Sequence, residues 1–178
     1  IKETKKGLMF NFSAEDLEEK FNLERGRLLL EICSDHINEG YKSKEKLLLK
    51  ALVAVEEKVL KDPKTIAEHL DCFFSLSDYN KELLTHEKMG VDFNQADSSL
   101  EAGMQGLAEI QNWNSNSIRQ SLLATIEKLG IKTGKLMWPL RAALTGKEFS
   151  PGAIEVAYAI GKEETLNRIK KANELLRD

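Results

Sequence analysis

Between residues 134 and 168 five cations, Lys135, Arg141, Lys147, Lys162 and Arg168, fall beside glycines and at expected helix starts. A guanidinium is a planar double donor that can read a base edge or stack on it. Phe149 and Pro151 add apolar surfaces against which a splayed base can rest. Exposed backbone N–H groups after Ser150 and after Gly161 would add partial positive charge. The combination suits single-stranded RNA better than duplex DNA, because no isolated recognition helix with a basic face stands out. Ordinary solvated surface cations are the other reading of the same residues.

Cys33 with His36, and His69 with Cys72, each place two soft ligands on adjacent helical turns. Facing one another, the four could surround a tetrahedral zinc. Against that, Cys33 sits on an apolar stripe, where a thiol behaves as a small hydrophobe, and the expectation is core cysteines and no metal. Trp113 and Trp138 could stack on bases but are expected as buried anchors, and His86 stands alone. Catalytic signatures are missing: the chain has no glycine-rich phosphate loop, no nucleophile elbow and no His-Glu-x-x-His pair.

The elements that must hold these residues are helical almost throughout. The chain has 178 residues, 42% hydrophobic and 31% charged, which is enough for a real core; 3 Pro and 7% aromatics argue against a turn-rich β fold. A helix is expected to begin at Ser13, with Asp16 near its positive end, and a second, striped by Leu28, Leu29, Ile32, Cys33 and Ile37, to stop at Gly40. Another runs from Ser43 to Asp62-Pro63. Thr65 and Glu68 read as a capping box for a helix ending near Phe74. Residues 89–99 are polar and read as a linker, followed by helices over 98–112 and 115–129. Pro139 is placed in a first helical turn, Ser150-Pro151 as N-cap and first residue of the next helix, and Gly161 before the last. The expected fold is all-α, a helical bundle of about eight to ten helices, divided into residues 1–90 and 91–178.

The net charge of −3 hides a split: residues 1–130 carry 17 Lys/Arg against 23 Asp/Glu, and residues 131–178 carry 9 against 6. A polyanion is drawn to the second stretch. No apolar run approaches the ~20 residues of a membrane helix, and two cysteines fit a reduced compartment, so a cytoplasmic protein with no membrane partner is expected.

The run from Gly134 and Lys135 through Pro139, Leu140, Arg141, Ala143, Leu144, Thr145 and Gly146, then Ser150-Pro151-Gly152 and Gly161-Lys162-Glu163, resembles the anticodon-binding region of bacterial-type glutamyl-tRNA synthetases. Residues 98–130 resemble the helical pair preceding it, and 40–80, more loosely, the helical domain bridging to the catalytic half. The resemblance implies a monomeric tRNA(Glu)-binding fragment of an ATP-dependent glutamate–tRNA ligase. It lacks the nucleotide-binding fold, needs no cofactor of its own and is inactive alone, since ATP and magnesium belong to the catalytic domain. It assigns Arg141 to the first anticodon base, Ser150 and Pro151 to that base's pocket, and Lys135, Lys147, Lys162 and Arg168 to backbone phosphates. The family's arginine two residues before the Lys64-Thr65 pair, which in some members helps read the third base, is matched here by Asp62, so either Lys58 or Lys61 substitutes, or the register of the match is shifted, or the protein is indifferent at that base. Whether glutamate and glutamine tRNAs are told apart is therefore open. An all-helical protein-interaction module without tRNA binding is the competing reading.

Overall fold

The computed structural model describes residues 14–178, and among them the fold is all-α. Ten α-helices follow in order: α1 (Ala14–Cys33), α2 (Glu39–Lys42), α3 (Glu45–Ala54), α4 (Glu56–Lys61), α5 (Ile66–Phe74), α6 (Phe93–Ala108), α7 (Ser115–Leu129), α8 (Gly134–Thr145), α9 (Ala153–Ile160) and α10 (Lys162–Arg177). Short 3-10 turns at Pro63–Thr65, Lys81–Leu84 and Glu87–Met89 join some of them, and an isolated antiparallel bridge pairs His86 with Val91. No helix among the described residues is long and apolar enough to cross a membrane.

Apolar stripes at helical spacing decide the packing. α1 lies along α3, and Gly26 makes that approach possible: a Cβ there would fall 2.6 Å from the Leu49 carbonyl oxygen. α6 packs on α7, α8 and α10, while α9 is wedged between α3 and α8. The buried core runs without interruption from Leu29 and Cys33 through Leu52, Phe73 and Leu84 to Leu100, Leu140, Val156 and Ile169. Packing therefore crosses residue 90 at several levels.

Several helix ends differ from the sequence expectation. α1 stops at Cys33, and Gly40 instead lies inside α2, where its N–H donates to the Asn38 side chain at 2.8 Å. The single helix expected from Ser43 breaks at Val55, whose ψ of 19° turns α4 away from α3. The Thr65 capping box does not form. Asp62 takes the cap, accepting from the Lys64 N–H at 3.1 Å, and Thr65 donates its hydroxyl to the Asp62 carbonyl. Most of the expected linker is helix: Asp92 accepts from the Gln95 N–H at 2.8 Å and starts α6, whose inward stripe of Ala96, Ser99 and Leu100 runs through the polar stretch.

The ends of α8 and α9 also differ from the sequence expectation. Pro139 is the sixth residue of α8 rather than part of its first turn, so it removes the N–H that the Lys135 carbonyl would otherwise accept. α9 starts at Ala153 with Gly152 as N-cap, and Ser150-Pro151 lies two residues ahead of it as part of the connecting loop. That loop begins at Gly146, whose φ of 64° is left-handed backbone that glycine tolerates and other residues resist.

Candidate nucleic-acid interface

α8 carries Trp138 and Arg141 three residues apart, hence on one face. The Trp138 indole N–H donates to the Leu83 carbonyl at 3.1 Å, and the His86 ring meets the indole edge-on, 4.2 Å between centroids at 82°. On this indole rests the Arg141 guanidinium, its central carbon 4.7 Å from the ring centroid. No described acceptor or carboxylate takes a hydrogen bond or ion pair from that guanidinium.

Arg141 opens into a cleft of about 550 Å³, a size typical of ligand sites. One wall is the α3–α4 corner from Val53 to Lys58, with His69 of α5; the other is Arg141 and the Phe149-Ser150-Pro151 stretch. Glu56 on the first wall is committed to an ion pair with Arg25 of α1. Phe149, Ser150 and Pro151 also line a second hollow of about 210 Å³ with Glu68, His69, Cys72 and Lys147, so they form a ridge between two depressions. Phe149 crowns the ridge with 85% of its surface in solvent.

Thr145 fixes the ridge to α8. Its hydroxyl donates to the Arg141 carbonyl at 2.8 Å and accepts from the Lys147 N–H at 3.3 Å, with the Ser150 hydroxyl 3.2 Å away. Ser150 is thus a brace within the loop and makes no helix cap.

The remaining cations are dispersed. Lys147 donates to the Glu68 carbonyl at 2.8 Å, tying the ridge to α5. Lys135 reaches the Gln95 side chain at 3.3 Å. Lys162 donates to the Ala108 and Ile110 carbonyls, both at 2.7 Å, closing the C-terminus of α6. Arg168 corrects the sequence reading outright. It is 2% exposed, donates to the Cys72 and Leu144 carbonyls at 2.5 and 2.6 Å, pairs with Glu164 at 2.7 Å, and cannot meet a phosphate.

The cysteines are core residues: Cys33 donates to the Leu29 carbonyl at 3.1 Å, and burial pushes both thiols above their ordinary value. Cys33, His36, His69 and Cys72 are not gathered, and among the described residues no three His, Cys, Asp or Glu side chains converge on a metal position. Trp113 is half-buried rather than buried, and its indole N–H donates to the Ala157 carbonyl at 3.1 Å. Asp62 is spent on its cap, while Lys58 lines the Arg141 cleft. The upstream wall carries no sequence signal of its own. The Trp138 support, by contrast, was detectable from its three-residue spacing to Arg141.

Residues 14–173 match the profile of the anticodon binding domain. The chain is 41% identical over 114 residues to the glutamate–tRNA ligase of Clostridium tetani, covering 64% of this chain and 23% of that protein. It is 37% identical over 133 residues to that of Clostridium acetobutylicum, covering 74% and 27%. It thus spans about a quarter of these relatives' length. In fold it is similar to a glutamate tRNA ligase from Elizabethkingia meningosepticum solved with its amino acid, at a TM-score of 0.65 and 23% identity, covering 93% of this chain and 33% of that one. With the profile running from α1 into α10 and spanning both walls of the cleft, the chain belongs to the anticodon binding domain family.

Proposed function

We propose that this chain is the tRNA-reading part of a glutamate–tRNA ligase and that the Arg141 cleft takes the first anticodon base of tRNA(Glu). The observation that carries this reading is an uncommitted guanidinium opening on a cleft beside an aromatic ring 85% exposed. A guanidinium offers paired donors to a pyrimidine carbonyl and ring nitrogen, and an exposed ring gives a neighbouring unpaired base a face to stack on. Lys58, in the same cleft, is the cation that stands in for the arginine displaced by Asp62. Lys135, Lys147 and Lys162, each half-buried, serve backbone phosphates without reading sequence. Attachment of glutamate with ATP and magnesium belongs, in this reading, to a catalytic domain outside these 178 residues, and the protein works in the cytoplasm.

The test is binding of transcribed tRNA(Glu). Arg141→Ala is expected to cost about 1–3 kcal/mol and to relax preference at one anticodon position. Equal affinity of the unaltered chain for tRNA(Glu) and for the same tRNA with a scrambled anticodon loop would overturn the proposal. A second reading, a protein-interaction module, is favoured by the exposed Leu17, Phe21, Leu28 and Ile32 along α1. Light scattering that shows association without tRNA, together with no tRNA binding, would select it.

A further inference from the structure

Arg141 has a long, rotamer-rich side chain, and no carboxylate among the described residues holds it in place. A carboxylate partner would occupy the same in-plane N–H groups that a base needs. A π face attracts the cation from above and leaves those donors free. The surface under Arg141 is of this kind: the indole of Trp138, 4.7 Å from the guanidinium carbon. The indole is itself clamped from outside its helix, by the Leu83 carbonyl on its N–H at 3.1 Å and by the His86 ring against it at 4.2 Å. Leu83 and His86 belong to the one stretch just before α6, so that stretch and α8 together fix the plane on which Arg141 lies.

We propose that Trp138 is a positioning residue for anticodon reading: its clamped indole orients the Arg141 guanidinium with its N–H edge turned to the incoming base. The inference rests on the cleft being the nucleotide site. Trp138 touches no base in this role and acts through Arg141.

The experiment measures affinity of the 178-residue chain for transcribed tRNA(Glu) and for the same tRNA with its first anticodon base exchanged. The variants are Trp138→Leu, Trp138→Phe, Arg141→Ala and the Trp138→Leu/Arg141→Ala double. Trp138→Leu is expected to cut the preference for the matched tRNA by ~3- to 10-fold, the scale of one half-buried cation–π contact. Trp138→Phe, which restores a π face, is expected to stay within ~3-fold of the unaltered protein. The double variant should discriminate no worse than Arg141→Ala alone. In NMR spectra of the free protein, the Arg141 side-chain protons should show an upfield ring-current shift that Trp138→Leu abolishes. Should circular dichroism show Trp138→Leu unfolded, Trp138→Met, which keeps bulk without a π face, takes its place with the same expected loss.

Full discrimination by the Leu or Met variant while Arg141→Ala loses it, additive losses in the double variant, or no ring-current shift in the unaltered protein would each overturn the positioning role. Unchanged discrimination in Arg141→Ala would instead overturn the reading of the cleft, and this role with it.

Discussion

Arg168 carries a charge into the interior because three acceptors meet it there, the Cys72 and Leu144 carbonyls and the Glu164 carboxylate. Arg168→Ala strands two buried carbonyls and opens a cavity beside them. We expect a loss of about 3–5 kcal/mol in denaturant unfolding, with tRNA affinity per folded molecule unchanged. Its burial was legible in part. Thr165, Ile169 and Ala172 form the inward stripe of α10, and Arg168 lies among them at helical spacing, but charge type argued the opposite. Arg141 lines the cleft together with Phe149 and Pro151, which were legible in sequence as apolar surfaces near it. The α4 and α5 side of the cleft was not legible, because nothing local in residues 53–69 records that a distant arginine faces them.

Helices were mostly legible as elements and often misplaced at their ends. Two of the errors fall where cap-forming residues lie close together in sequence. Asp62 caps the 3-10 turn that leads into α5, leaving Thr65 at the α5 N-cap with no side-chain bond, and Gly152 rather than Ser150 is the N-cap of α9. Polar composition also misled at residues 93–99, where Ser99 is buried and accepts from the Gln95 amide at 2.9 Å. The α1–α3 contact permits two predictions. Gly26→Ala forces a methyl against Leu49 and should cost about 1–3 kcal/mol, measured as a lower thermal midpoint. Glu19 bonds the ammonium groups of Lys46 and Lys50, both at 2.9 Å, and these hold its carboxyl below the ordinary value of 4.5. A depressed carboxyl stabilises the fold above its unfolded value, and that stability is lost as pH falls. Glu19→Gln should therefore lower the midpoint at pH 7 and flatten its decline below about pH 4.5, in melts recorded across that range.

The molecule as a whole is knit across its middle. Trp138 to Leu83, Lys147 to Glu68 and Arg168 to Cys72 all join residues after position 90 to residues before it, beneath a core that does not divide there. One cooperative transition is expected, with far-UV circular dichroism and tryptophan fluorescence giving the same midpoint; two separated midpoints would contradict it. All-helical class was readable from periodicity alone, whereas this stitching, made largely by side chains donating to distant carbonyls, leaves no trace in any short stretch of sequence. The same stitching governs the cleft, whose opposing sides come from residues 53–69 and 141–151. Severing the two halves would leave the arginine and its aromatic crest intact yet facing nothing: half a socket, with spelling preserved and grip gone.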